Sequence, residues 1–311
     1  MRVDCHAHVL PPAYRVALGD MPLPPTRLED LKEMMARYAV DAAVISTGPP
    51  GAFIGDPSAG PELARLANNG IAEIVRAEPR TFAGLATLPL PDVDSGLREL
   101  ERSLDELGLD GVMLLSNVAG IYLGDQRFEP LMDTLNDRGA YVFIHPGFPP
   151  QAPPLPHPVW LYEFTFETVR AVTNLIYTGT LERYPQIRLQ LAHLGGAVPF
   201  LAHRLASLAD REPGLAAEAP VGALAYLRDL YYDTGLANNE PALAATLTIA
   251  SADQVVFGTD WPYAALPAAA GDPAPGLDVL GAQTRAAIEF ENAAALVPRL
   301  VDSLMADDRS R

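Results

Sequence analysis

His6 and His8 stand two residues apart in Met1-Arg-Val-Asp-Cys-His-Ala-His-Val-Leu10, an apolar, β-prone run. In a strand, residues i and i+2 project to the same face, so the two imidazoles can hold one cation between them. A histidine pair at a strand end is also satisfied by ordinary hydrogen bonds, and His-x-His alone is a weak motif. The other histidines and one aspartate strengthen it. His145 ends the apolar run Ala140–His145, His193 ends Ile187–His193, and Asp260 ends Gln254–Asp260 within Phe257-Gly-Thr-Asp-Trp-Pro262. Four of the six histidines therefore fall at the ends of short apolar runs.

Imidazoles and a carboxylate suit a borderline divalent ion, Zn²⁺ first, with Mn²⁺ or Fe²⁺ as alternatives. His6, His8, His145 and Asp260 supply enough ligands and leave a position for water or substrate. His193 then serves as an acid/base beside the ion, since imidazole exchanges protons near neutral pH. Lys32 is the only lysine in the chain, so no strand can supply the carbamylated lysine that bridges two ions in many barrel hydrolases. One ion is expected. His157, in a proline-rich loop, reads as a surface or lid residue, and His203, inside a helix, as structural. Cys5 alternates with the histidines, so it is expected to face away from them and to pack.

These residues must be positioned by the elements between them. Short apolar runs alternate with amphipathic stretches: strands at Ala42–Ser46, Phe82–Leu88, Gly111–Leu115, Ala140–His145, Ile187–His193, Leu230–Asp233 and Gln254–Asp260 follow the first. Helices are read at Arg27–Tyr38, Glu62–Glu78, Asp94–Leu107 (capped by Asp94 or Ser95), Phe128–Arg138, Glu163–Tyr184, Val198–Ala209, Pro241–Ala250 and Thr284–Met305. Ala209–Val221 reads as loop. Continuous apolar strands in such an alternation suit parallel strands buried on both faces. Two folds satisfy it, a (β/α)₈ TIM-type barrel and a doubly wound open sheet. No Gly-x-Gly-x-x-Gly follows the first strand, which removes the main support for the second. The expectation is one barrel domain over 1–311, with the candidate ligands at the C-terminal strand ends, where barrel enzymes build their sites.

The bulk properties agree. A chain of 311 residues, 49% hydrophobic, can bury a large core without staples, and its single cysteine forms no internal disulfide. A net charge of −17 repels nucleic acid and anionic membranes. No apolar run approaches the ~20 residues of a membrane span, and no targeting signal is read at the start. A cytoplasmic protein is expected.

At the same residues the chain resembles the amidohydrolase superfamily, in the branch of aminocarboxymuconate-semialdehyde decarboxylase and related aromatic acid decarboxylases. The resemblance rests on Asp4-Cys-His-Ala-His8 with Leu10-Pro-Pro, Phe143-Ile-His-Pro146, Gly179-Thr-Leu-Glu-Arg-Tyr-Pro185, Ala192-His-Leu-Gly-Gly196 with Pro199 and Arg204, Tyr232-Asp-Thr234 and Phe257-Gly-Thr-Asp-Trp-Pro262. The texture of Ala86-Thr-Leu-Pro-Leu-Pro91, Tyr122-Leu-Gly-Asp125 and Phe128-Glu-Pro-Leu131 is most similar to 6-methylsalicylate decarboxylases. The resemblance implies metal ligation by His6, His8, His145 and Asp260 and an acid/base role for His193. It also implies that Arg204, eleven residues after His193, binds substrate carboxylate from a neighbouring subunit, and hence a homodimer. The branch's second carboxylate-binding arginine has no clear match: Arg27 and Arg37 are nearby, but Glu33 falls about where it aligns.

The resulting expectation is a metal-dependent nonoxidative decarboxylase acting on a small, salicylate-like aromatic acid. His193 or Asp260 supplies the proton, and Phe148, Trp160, Trp261 and Tyr263, which flank the site in sequence, form aromatic walls. The same architecture admits a metal-dependent hydrolase opening a lactone or ester, because one fold and ligand set hosts both chemistries. A noncatalytic metal- or ligand-binding barrel is the reading from another class.

Overall fold

The alternation of apolar runs and amphipathic stretches builds a barrel. A computed structural model describes residues 1–308 apart from 25, 152–154, 210 and 267–270. Among them, ten strands follow in chain order: β1 Val3–His8, β2 Ala42–Ser46, β3 Phe82–Thr87, β4 Gly111–Leu115, β5 Asn117–Val118, β6 Ile121–Tyr122, β7 Tyr141–His145, β8 Arg188–Leu191, β9 Tyr231–Asp233 and β10 Val255–Val256. Eight pair in the order β1-β2-β3-β4-β7-β8-β9-β10, every pairing parallel. β5 and β6 form a small antiparallel hairpin beyond the end of β4. Backbone bonds from Cys5 N to Phe257 O (2.8 Å), Asp260 N to His6 O (2.8 Å) and His8 N to Trp261 O (2.9 Å) join the last strand region to the first. The chain forms the expected (β/α)₈ barrel.

Alternate residues of each strand separate into two apolar layers, as the two-residue period of a strand requires. Ala43, Ile45, Ala86, Val112, Leu114, Val142, Ile144, Leu189 and Leu191 pack outward against the helices. Ala42, Val44, Leu85, Met113, Tyr141 and Phe143 face inward and meet Leu296, Leu300 and Val301 of the C-terminal segment. Arg299 there bonds to the carbonyls of Pro79 and Phe82 and to Asp110, so this segment closes the N-terminal end of the barrel. The C-terminal strand ends are left for the site.

Most expected elements form, with shifts of a residue or two at their ends. Some differ for local reasons. Asp92, not Asp94, caps the helix Val93–Glu101: its Oδ1 accepts from Ser95 N at 3.1 Å and its Oδ2 from Ser95 Oγ at 2.7 Å. The stretch read as one helix from Glu163 to Tyr184 is two, Glu163–Tyr177 and Thr180–Arg183, broken where Gly179 takes a left-handed φ of 72°. A short helix at Pro213–Glu218 occupies part of the segment read as loop, and another forms at Pro12–Ala17. The last strand is only two residues long, so Asp260 lies in the loop beyond it. His193 likewise follows β8 instead of ending it.

β1 departs from strict alternation. Its register against β2 shifts between Asp4 and Ala7. Val3 and Cys5 belong to the inner layer, whereas Ala7 and Val9 belong to the outer. The bulge thus turns both Cys5 and His6 inward, which corrects the expectation that Cys5 faces away. Cys5 still packs: it is buried among apolar neighbours, and burial, with Asp4 and Asp233, pushes its thiol well above the ordinary range. No helix of the described residues is long and apolar enough to cross a membrane.

Candidate metal centre

β1, β7 and the loop after β10 bring His6, His8, His145 and Asp260 together, all buried. One ligand atom from each lies within 4.8 Å of every other. His6 Nε2 and His8 Nε2 are 3.1 Å apart, and each is 3.1 Å from Asp260 Oδ1. Neighbouring ligands about 2.1 Å from a shared ion stand roughly 3.0–3.4 Å apart, so these three atoms already have that spacing.

The outer nitrogens explain why the inner ones converge. His145 Nδ1 lies 2.8 Å from the Pro146 carbonyl, which can only accept, so Nδ1 carries the proton and Nε2 the lone pair. That Nε2 is buried and has no hydrogen-bond partner among the described residues. His6 Nδ1 donates to Asp233 Oδ1 (3.0 Å), and His8 Nδ1 faces Ser46 Oγ (3.0 Å). Each imidazole is anchored through Nδ1 and presents Nε2 to the same point, where Asp260 adds negative charge. Lone pairs and a carboxylate crowded together repel unless a cation or protons lie among them. The residues fit a divalent ion.

The electrostatics follow from this crowding. Burial would hold His6 neutral, but the Asp233 and Asp260 carboxylates outweigh it and raise its pKa to about 10. Burial and the neighbouring imidazoles hold His145 well below the ordinary histidine range, and burial lowers His8. Asp260, although buried, is held well below the carboxylate range by His6 and by hydrogen bonds from His193, His6 and His8.

His193 stands apart from the ligand atoms. Its Nε2 meets Asp260 Oδ2 at 3.2 Å, the oxygen turned away from His6 and His8. Asp260 therefore offers Oδ1 to the ligand cluster and Oδ2 to His193. Both residues have left-handed backbones, φ 59° at His193 and 58° at Asp260. For residues with a Cβ this conformation costs on the order of 1–3 kcal/mol, and it persists where surrounding structure enforces it. At His193 the enforcing bond runs from its own N–H to Asp233 Oδ1 (3.2 Å). At Asp260 it is the N–H to His6 carbonyl bond across the barrel seam.

The aromatic surroundings differ from expectation. Tyr263 lies edge-on to His8, with centroids 5.7 Å apart, and Phe148 reaches the site through Phe164, whose ring is 5.5 Å from Phe148 and 6.3 Å from His145. Phe164 was not singled out from the sequence. Trp261 instead packs against the outer apolar layer, because it pairs with outward-facing Ala7. Trp160 is exposed. Arg204 is exposed on the helix Val198–Ala209, and no ion pair engages it among the described residues. His157 and His203 are exposed, so His203 has no packing role. Arg27 pairs with Asp30, and Arg37 lies over Tyr38, so neither faces the centre.

Three further groups hold the site without having been assigned a role from sequence. Asp233 ties together His6, the His193 N–H and the Gly235 N–H (2.9 Å). Ser46 anchors His8. Buried Glu167 accepts from Asn117 Nδ2 (2.7 Å), Tyr122 Oη (2.8 Å), Arg170 Nη1 (2.8 Å) and Ser116 Oγ (3.3 Å). Ser116 Oγ in turn accepts from Gly147 N, and Asn117 Nδ2 donates to Phe148 O, so Glu167 fixes the turn that follows His145.

A parallel barrel carrying three inward Nε2 atoms and a carboxylate at its C-terminal strand ends defines a metal-dependent barrel enzyme class. Residues 3–299 match the amidohydrolase family, and the chain belongs to it. It is 34% identical over 284 residues to a 6-methylsalicylic acid decarboxylase from Aspergillus aculeatus, with 85% of each chain covered. It is 32% identical over 244 residues to a 2-amino-3-carboxymuconate-6-semialdehyde decarboxylase from Dictyostelium discoideum, covering 77% of this chain and 67% of that one. Among solved structures, a dihydroxybenzoic acid decarboxylase from Polaromonas, with bound manganese and 2-nitroresorcinol, superposes with a TM-score of 0.76 at 22% identity, covering 96% of each chain.

Proposed function

We propose that this protein is a metal-dependent, nonoxidative decarboxylase of a salicylate-like aromatic acid, of the 6-methylsalicylate type. The observation that carries the reading is the convergence of three Nδ1-anchored imidazoles and Asp260 on one point, with His193 on the outer oxygen of Asp260. Its likeness to 6-methylsalicylic acid decarboxylase supports the choice of substrate class. His6, His8, His145 and Asp260 would hold one divalent ion. Zn²⁺ suits the donor set, and the manganese of the Polaromonas structure makes Mn²⁺ the alternative. Such an ion supplies Lewis acidity toward a carboxylate and an ortho phenolic oxygen.

Losing CO₂ directly from an aryl carboxylate leaves a carbanion in the ring plane, where the π system cannot stabilise it. Protonating the ring carbon that bears the carboxylate makes that carbon tetrahedral. The C–C bond then breaks, its electron pair restores the aromatic ring, and CO₂ departs. His193 Nε2 and Asp260 Oδ2, 3.2 Å apart, are the pair that holds and moves this proton. Tyr263, Phe148 and Phe164 would wall the ring on one side.

Arg204, exposed and without an ion pair among the described residues, would bind the substrate carboxylate in the site of a second copy, in a homodimer. The acidic chain and its lone buried cysteine fit a cytoplasmic enzyme that binds neither nucleic acid nor membrane. The test is a panel of hydroxybenzoic acids with Zn²⁺- or Mn²⁺-loaded protein, following CO₂ and the ring product. Phenol formation with equimolar CO₂ is expected. Turnover of lactones or esters without CO₂ release would replace this reading with hydrolysis.

A further inference from the structure

Beneath the ligand cluster runs a buried polar chain that no step of the chemistry uses. Tyr141 Oη, Gln190 and Asp233 are fully buried on the inner faces of β7, β8 and β9. Tyr141 Oη lies 2.6 Å from Gln190 Oε1. Gln190 Nε2 lies 2.7 Å from Asp233 Oδ2 and 3.2 Å from the Cys5 carbonyl. Asp233 Oδ1 then receives His6 Nδ1.

The direction of every bond in this chain is fixed by chemistry. One end of the Gln190 amide faces a carboxylate oxygen and a carbonyl, both acceptors, so that end must be the NH₂. The other end is the amide oxygen, so Tyr141 must be the donor. Asp233 is acceptor throughout. Its Oδ2 is occupied by Gln190 and its Oδ1 by His6, the His193 N–H and the Gly235 N–H, so the carboxylate cannot rotate without leaving a buried donor unmet. The inner layer is tight around the start of this chain. A Cβ added at Gly111 would meet the Tyr141 carbonyl at 2.4 Å and its ring Cδ1 at 3.0 Å.

We infer that Gln190 and Tyr141 are positioning residues for the metal centre: through Asp233 they fix which nitrogen of His6 carries the proton and so aim its Nε2 lone pair at the ion. The inference rests on the ion-binding reading of His6, but not on the identity of the substrate. Neither residue touches the ion or substrate. Outer partners of metal-ligating histidines typically change metal affinity about 10–100-fold when removed.

The test is metal affinity, measured on purified apoprotein by competition with a chromophoric chelator, with thermal unfolding of the same samples. Gln190→Leu should weaken Zn²⁺ or Mn²⁺ binding by about 10–100-fold while the apoprotein stays folded. Tyr141→Phe removes one oxygen and should cost less, under about ten-fold, since it acts only through the amide. The deciding measurement is the double variant. If Tyr141 acts through Gln190, Tyr141→Phe has no further effect on metal affinity in the Gln190→Leu background, whereas independent packing roles would add. Additive losses overturn the inference, as does a Gln190→Leu apoprotein that binds metal within about two-fold of the parent. If Gln190→Leu fails to fold, Tyr141→Phe alone decides: unchanged metal affinity in a folded protein overturns the inference. If the parent itself binds no divalent ion, the metal-centre reading fails first, which separates the two failures.

Discussion

Gly235→Ala tests whether the His6–Asp233 bond sets the metal site. A Cβ at residue 235 would lie 2.8 Å from His6 Nδ1, 2.9 Å from Asp233 Oδ1 and 3.1 Å from Asp260 Cβ. The methyl would therefore enter the 3.0 Å hydrogen bond itself. His6 cannot simply retreat. A Cβ at Gly258 would already meet His6 Cβ at 2.8 Å, and the Phe143 ring lies 4.7 Å from the imidazole. Gly235 has no left-handed φ, so backbone conformation is not the obstacle. Losing a hydrogen bond to a charged group costs about 1.5–3 kcal/mol. Forcing a methyl into a packed core costs about 1–3 kcal/mol more. Metal affinity should fall about 10–100-fold, and the apoprotein should melt several degrees lower. Gly214→Ala is the control, since nothing lies within 4 Å of its added Cβ. The assay is metal competition and thermal unfolding of both variants. A Gly235→Ala protein with parental metal affinity and melting temperature would refute the claim that this contact aims His6.

Three other outcomes are expected. His193→Ala should retain the ion and measurable substrate binding but lose kcat by about 10²–10⁴-fold, whereas His6→Ala should lose the ion; metal content and kcat on the same preparations separate the two. Mixing inactive Arg204→Ala subunits with inactive His6→Ala subunits should restore some activity in heterodimers, and no recovery despite proven subunit exchange would mean that Arg204 acts in its own subunit or not at all. Glu167→Ala should destabilise the fold by about 1–3 kcal/mol by leaving the buried donors of Ser116 and Asn117 without this acceptor, with a smaller loss for Glu167→Gln, both read from denaturant unfolding.

Much of this was legible in the sequence because it depends on short-range rules. Strand and helix periodicity announced the barrel, and histidines at the ends of apolar runs announced the cluster that could hold an ion. What was hidden depends on contacts distant in sequence. Asp233 sits in an ordinary strand, Tyr231–Asp233, and nothing in its spacing reveals that it meets His6 across the barrel. Gln190 and Ser46 read as isolated polar residues in apolar runs, and Phe164 as one apolar residue of an amphipathic helix. The inward turn of Cys5 follows from a register shift that no alternation pattern contains. Trp261 was read as a wall from its neighbour Asp260, but the left-handed φ at Asp260 and the pairing with Ala7 send it outward.

The barrel closes along a narrow seam. β10 contributes only Val255 and Val256 to the ladder, and beyond it the closure rests on a few backbone bonds between Phe257–Trp261 and Cys5–His8 and on the Asp4 carboxylate, which accepts from Thr259 N and Oγ1. His6 and His8 stand on one side of that seam and Asp260 on the other. A cation held by all three would therefore work as an added clasp between the two ends of the chain, closing a loop of about 250 residues. The ion's departure would loosen the barrel along this single line, and amide exchange at Cys5, His8 and Asp260 would quicken before that of β2 to β4. On the proposed reading, the ion that would assist the chemistry would also help keep the hoop shut.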